Sequence, residues 1–319
     1  MTTIVTTAST PGSTVEYDAF GPWVDVVADP ADIPRLYRDF PLDLAAAELV
    51  LKVPRAISRK DANPAMDLYD HLIVVGIEQL SILSRESGGY SELTIGFEQI
   101  AMIVDRINLL DGSLAIHTLS GEVITFAYNG ASEKVIARLV DLLRRREQAA
   151  PPALPPGTRR PSLPQAPLPP LGLDDLGKKD AVFVTAYREL AATEPGLQLL
   201  AAHGRQPLAV HDGAASSIAH LLKPAVLHGA LLAATATELQ LLWRGVWIVR
   251  GGAPVFSRAR TIVPLAKLRG VTAHRHPIYA DADVLELAAG ESTTEIVVPA
   301  TSRLDEVLHG LFAEATGRG

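Results

Sequence analysis

Residues 151–172 read PPALPPGTRRPSLPQAPLPPLG, and no other stretch limits the fold so severely. Proline has no backbone N–H to donate and a fixed φ, so a segment this rich in it enters neither a helix nor a central strand. It favours polyproline II, a semi-stiff spacer that could hold its flanks up to about 60 Å apart. The 319-residue chain is thereby divided into two parts, each long enough to bury a core of its own. PSLPQAP offers the PxxP spacing that aromatic-lined grooves accept. A plain spacer is the preferred reading, since proline-rich linkers are common and Arg160 stands at no distinctive distance.

The two parts share an order of elements. Tyr37 opens YRDFPLDLAAAELVLK and Tyr187 opens YRELAATEPGLQLLAA. The first part begins with IPRLYRDF, then a strand, AELVLKVP, and a basic loop, RAISRKDANPAMD. HLIVVGIEQLSILSR reads as two short strands around a turn at residues 76–79. LTIGFEQIAMIVDR, SLAIHTLSG and EVITFAYN follow, where period-two alternation marks half-buried strands. ASEKVIARLVDLLRRRE closes the part with Val135, Ile136, Leu139, Leu142 and Leu143 on one helical face and Ser132 as N-cap. After the prolines come FVTAYREL, LQLLAAHG, ALLAATATELQLLWRG, RTIVPLAKLRGVTAHR, DVLELAAGE and TEIVVPA. The helix SRLDEVLHGLFAEA ends the series, capped by Ser302 and faced by Leu304, Val307, Leu308 and Leu311. A shared order of seven elements predicts an internal duplication, and strands followed by a helix predict an α+β class.

Composition then excludes several functions. Without cysteine, the chain has no thiol nucleophile, thiolate zinc site or cysteine-ligated iron–sulfur cluster. The same absence fits a reducing compartment. The N-terminus lacks the basic start and apolar core of a secretion signal, and apolar runs such as that before Ala236 are broken by His228, Gly229 and Thr235. The expectation is a soluble, cytoplasmic protein with no transmembrane segment. The net charge of −7 argues against nucleic-acid binding by bulk electrostatics. Most of it is local: through Val50 eight acids face only Arg35 and Arg38.

The hydrophobic strand, turn and strand at HLIVVGIEQLSILS, the isoleucine-rich strand at residues 100–103, the hairpin LAIHTLSGEVITFAY and the helix from Ser132 resemble the bacterial pleckstrin-homology-like (PH-like) domain. The likeness covers residues 42–146 and, after the prolines, 197–315. The phrases IPRLYRDF and LVLKVPR are also similar to those of actinobacterial proteins of undefined role. The resemblance implies two half-open antiparallel β-barrels, each capped by a C-terminal helix. The expected layout is an acidic arm over 1–29, a first PH-like domain over 30–147, a proline-rich linker over 148–178 and a second domain over 179–316. Such domains bind and scaffold; some take acidic lipid headgroups, others peptides or themselves. The second part departs from the pattern in its alanine-rich stretch between His211 and His228.

In lipid-binding members of that family the loop after the first strand carries spaced cations that grip phosphates. Here it holds Lys52, Arg55, Arg59 and Lys60, where arginine forks onto oxyanions and lysine adds a point charge. These four are the candidate ligand-binding residues. Against that reading, Pro54 interrupts the strand, the second part keeps only Arg205, and the cations could simply answer the acidic N-terminal segment.

Seven of nine histidines follow the prolines: His203, His211, His220, His228, His274, His276 and His309. HRH at 274–276 would put two rings on one side of a strand, as metal sites do, but no carboxylate stands at short ligand spacing, and no metal or cofactor is expected. GxSxG, Walker A, GxGxxG and HExxH motifs are all absent, and His211, Asp212, Ser216 and Ser217 are too close in sequence to read as a triad. Trp243 and Trp247, beside Arg244 and Arg250, could dip into a membrane interface, or period two could place them in a core. Residues 144–146, all arginine, suit a helix C-terminus.

The expectation is a non-enzymatic binding or scaffold protein for a protein, peptide or anionic partner. The tandem would add avidity, and an exposed sheet edge could take a strand from a partner or a second copy as a homo-oligomer. The competing class is a hydrolase or metal-dependent enzyme centred on the histidine-rich second domain.

Overall fold

In the computed structural model the described residues are 14–151, 161–163, 168–211, 224–250 and 256–312. Arg160, Asp212, Ser216, Ser217 and His220, and residues 164–167 of the PxxP segment, lie outside them.

The chain divides into two compact units. The first comprises residues 1–97, 110–112 and 126–150; the second comprises 98–109, 113–125 and 151–319. In the first unit, β1 (Asp25–Val26), β2 (Leu49–Pro54), β3 (Tyr69–Val75), β4 (Gln79–Glu86) and β5 (Gly89–Gly96) form one antiparallel sheet in chain order. The expected pair of strands in HLIVVGIEQLSILSR is β3 and β4, paired in register from Val75↔Leu80 to His71↔Ser84. The turn from β4 to β5 uses Gly88 at φ 86, a left-handed conformation that a side chain would strain. A core of Phe20, Tyr37, Val50, Leu68, Tyr69, Leu72 and Leu83 joins this sheet to the N-terminal segment, including the short helix α1 (Val15–Ala19). Helix α2 (Glu133–Ala149) buries Ile136, Leu139, Val140, Leu142 and Leu143, as its periodicity requires. Ser132 is no side-chain cap; its hydroxyl accepts the Val24 N–H at 2.9 Å instead.

LTIGFEQIAMIVDR is not one strand. A 3-10 turn, Phe97–Gln99, ends β5 and starts β6 (Ile100–Asn108), which is followed by β7 (Asp111–Thr118) and β8 (Val123–Asn129). Residues 98–109 and 113–125 belong to the second unit, so the compact units do not follow the proline boundary. The cause lies in β6: residues 100–104 are all buried, on both faces of the strand, and one of its edges takes a neighbour from beyond the prolines. The neighbour is β15 (Ser257–Pro264), antiparallel from Ile103↔Ile262 to Asn108↔Ser257.

The rest of the second unit runs α3 (Ala181–Thr193), β9 (Gln198–His203), β10 (Gln206–Leu208), β11 (Ala225–Leu227), β12 (Ala230–Ala234), β13 (Glu238–Trp243), β14 (Ile248–Arg250), then, after β15, β16 (Leu268–Arg275), β17 (Ala282–Ala289), β18 (Ser292–Pro299) and α4 (Arg303–Gly310). A seven-stranded sheet has the order β8-β7-β6-β15-β13-β12-β9; β16-β17-β18 and β10-β11-β14 form two further sheets. The main core includes Met102, Leu232, Leu241, Trp243, Leu285, Ile296, Leu304 and Leu308. Ser302 caps α4 as expected, its side chain accepting the Asp305 N–H at 3.2 Å.

The described part of the proline-rich segment is not a free spacer. Ser162 donates its N–H to the Leu311 carbonyl and Leu168 to the Leu199 carbonyl, both at 2.9 Å. Leu163 packs on the main core, and Leu168 and Leu171 pack with Phe183 and Leu197. Ser162 and Leu168 thus use the backbone N–H groups that proline lacks, and Leu163, Leu168 and Leu171 are half-buried.

The repeated phrases diverge. IPRLYRDF forms a 3-10 turn at Arg35–Tyr37, just after another at Pro30–Asp32, whereas FVTAYREL lies inside α3. The later succession recurs: β2 to β5, β6 to β8 and α2 correspond in order to β9, β12, β13, β15, then β16 to β18 and α4. Strands dominate, pairing is antiparallel and helices are few, consistent with an α+β chain. No helix among the described residues is long and apolar enough to cross a membrane.

Candidate functional site

The four candidate cations lie on β2 and the loop after it, but three of them are bound to their own unit. Lys52 is only 8% exposed. Its Nζ donates to the Asp32 carbonyl at 3.3 Å and lies 5.4 Å from the Tyr69 ring centre. Arg55 donates to the Asp67 carbonyl at 3.2 Å and stands 3.9 Å from the Asp70 carboxylate. Arg59 donates to the carbonyls of Phe20 and Asp18, with its guanidinium 4.9 Å from the Tyr17 ring centre. Lys60 is exposed. The arrangement clasps residues 17–32 against the sheet. Oxyanion binding here would require Lys52, Arg55 and Arg59 to leave these contacts.

Sequence reasoning passed over the centre of the clasp, Arg35. Its guanidinium reaches the Asp67 carboxylate and the Pro64 carbonyl, each at 2.9 Å, while its backbone N–H donates to Glu16 at 2.7 Å. The available signal was the repeated YR phrase, which follows Arg35 closely. Tyr37 is fully buried and donates to the Asp70 carbonyl at 2.8 Å. Burial, reinforced by the nearby Asp70 charge, raises its pKa beyond the ordinary phenol range. Asp25 is also raised, by burial against the opposing charge of Lys52.

The second unit holds a different charged cluster. Asp180, immediately before α3, is fully buried. Its carboxylate accepts from Arg244 at 3.1 and 3.2 Å, from Arg205 at 3.3 and 3.4 Å, and from the Gly229 N–H at 3.0 Å. Arg244 also donates to the carbonyls of Lys179 and Ser257 and covers the Phe183 ring. Burial alone would push the carboxyl pKa up, but the Arg205 hydrogen bond, the Gly229 amide and the two guanidiniums hold it below the usual value. Gly229 is fixed by space: a Cβ there would stand 2.9 Å from both Asp180 Oδ2 and the His203 carbonyl.

Against this node sit the buried imidazole of His228 and the half-buried one of His203. Both ring nitrogens of His228, and Nε2 of His203, lack hydrogen-bond partners. Burial, with the Arg205 charge, lowers the His228 pKa to about 4. His211 and His276 meet elsewhere, His211 Nε2 lying 3.0 Å from the His276 carbonyl. His276 Nδ1 accepts backbone N–H groups from Ile278 and Tyr279 at 3.1 and 3.2 Å. His276 lies just past the end of β16, and burial, together with neighbouring His211 and His274, lowers its pKa. Among the described residues no group of three or more His, Asp or Glu is placed to hold a metal ion.

Trp243 belongs to the core. Its indole N–H donates to Thr261 at 3.1 Å, and its ring stacks on Trp247 at 4.4 Å between centroids. Of the terminal arginines of α2, Arg144 pairs with Asp141 at 3.1 Å and Arg146 with Glu48. No known protein family, characterised protein or solved structure matches the chain.

Proposed function

We propose that the protein is a non-enzymatic scaffold of the cytoplasm, built from two tandem PH-like modules that hold a protein partner. One observation carries the reading: the succession of a four-strand meander, a three-strand meander and a helix occurs twice, at β2 to α2 and at β9 to α4. That order is the one the PH-like resemblance implies, with the three-strand sheet and helix closing a half-open barrel. A duplicated binding module gains by effective concentration when both copies engage one target.

The polar groups support the same choice. Lys52, Arg55 and Arg59 spend their hydrogen bonds within the first unit, and Asp180, Arg205 and Arg244 spend theirs within the second. The recognition elements left are exposed strand edges, which favour a polypeptide over an acidic headgroup. The test immobilises the full chain, applies lysate and quantifies retained proteins, with free chain as competitor. A defined set displaced by the competitor is expected, unchanged by Lys60→Glu. Loss of that set on Lys60→Glu would return the site to the basic loop. No displaceable protein, together with turnover of an ester or phosphoester by the purified chain, would overturn the scaffold reading.

A further inference from the structure

At the junction between β6 and β15 the chain shows how its own strand edges pair. β6 opens a three-strand meander and β15 ends a four-strand meander, and the two meet antiparallel over six residue pairs from Ile103↔Ile262 to Asn108↔Ser257. The repeated succession contains one more strand of each kind. β16 opens the last three-strand meander, and β5 ends the first four-strand meander. Each is the terminal strand of its sheet, and among the described residues no strand pairs with its outer edge. Both edges are accessible: Ser91, Glu92 and Thr94 on β5 are exposed, as are residues 272–275 on β16.

We infer that a second copy of this chain docks here, β16 of one molecule pairing antiparallel with β5 of the next as β6 pairs with β15. The inference deepens the scaffold reading and rests on the duplication assumed there. The register transfers without adjustment. β5 and β15 each have eight residues and each runs into a three-residue 3-10 turn, from which β6 and β16 begin. Superposing these turns puts Val271 opposite Thr94, Ala273 opposite Glu92 and Arg275 opposite Tyr90. At the internal junction the corresponding central pair is Asp105↔Arg260, of opposite charge. In the intermolecular pair the charge moves two residues along one face: Arg275 lies diagonal to Glu92, within reach of a long side chain, and over the Tyr90 ring. β16 pairs regularly with β17 from Gly270 to Arg275, so this length presents an unbroken edge.

The two edges differ, so each copy offers one β5 and one β16 edge, and the contact closes either reciprocally, as a two-fold dimer that uses both edges of both copies, or head to tail, as a ring or filament.

Sedimentation velocity on the full chain over a range of concentrations tests this. Mass is expected to grow with concentration from that of one chain to that of two or more. Ala273→Glu sets a carboxylate opposite Glu92 and raises the half-assembly concentration roughly five-fold, as does Glu92→Lys, which sets an ammonium diagonal to Arg275. The double variant restores assembly. Both positions are exposed, and circular dichroism checks that each variant folds; because they lie on different strands, failure of one to fold leaves the other informative. A constant monomer mass, or single variants that assemble like the parent, would overturn the inference. Weakening without rescue in the double variant would overturn the register. A strictly monomeric chain that still retains lysate proteins would sink self-assembly alone and leave the scaffold reading in place.

Discussion

The basic clasp of the first unit and the Asp180 node of the second both tie cations to the same chain, by opposite means. Lys52, Arg55 and Arg59 donate mainly to backbone carbonyls at a partly wetted surface, where each bond competes with water. Arg205 and Arg244 converge on one carboxylate with no exposure, where separating the charges would leave some of them buried and unpaired. A run of basic residues therefore says little about binding until their partners are known. The more consequential cluster was scattered across four stretches of sequence with nothing to draw the eye.

The largest test of that contrast is Asp180→Ala, which strands Arg244 and Arg205 and orphans the Gly229 amide. Chemical denaturation should show a loss of about 3–5 kcal/mol; a loss near that of a surface substitution would show the node to be wetter than its burial indicates. Next comes pH. His228 has a folded pKa of about 4 against an ordinary 6.5, so the unfolded chain binds the proton more readily. Its stabilising contribution is complete above 6.5 and is lost as pH falls toward 4, by about 3 kcal/mol. Asp180 acts lower, because its depressed pKa keeps its contribution until pH falls below the usual carboxylate value. Urea midpoints between pH 7 and 4.5 should decline, and His228→Leu should flatten the slope; an unchanged slope would remove His228 from the account. Smallest is the clasp. Arg59→Ala should cost about 1 kcal/mol and speed hydrogen exchange in residues 15–20, while Lys60→Ala changes stability by less than about 0.5 kcal/mol. Equal effects at the two positions would contradict the assignment of Arg59, and not Lys60, to the clasp.

Much of the secondary structure was legible because it depends on short-range periodicity. The turn at 76–79, the buried face of α2 and the Ser302 cap follow from residues a few positions apart. Three features were hidden for one reason: they depend on partners far along the chain. Ser132 resembles a cap until Val24 is placed beside it. Proline spacing suggests a tether until Leu163, Leu168 and Leu171 find cores to enter. The apolar run of β6 announces a buried strand but not that its neighbour is β15. At the candidate site, sequence found the four basic residues and missed Arg35 and Asp180. Charge density is visible in a line of letters, whereas the number of hydrogen bonds a charge completes is not.

The pairing of β6 with β15 also governs the order of events during synthesis. β6 leaves the ribosome roughly 150 residues before its neighbour, on the order of ten seconds at ordinary elongation rates. Through that interval an apolar strand waits with a bare edge, and loop closure across so long a segment slows its capture. The nascent chain thus passes through a stage open to mispairing with other nascent chains, in which chaperone occupancy should peak before Ser257 emerges and fall once β15 is in place.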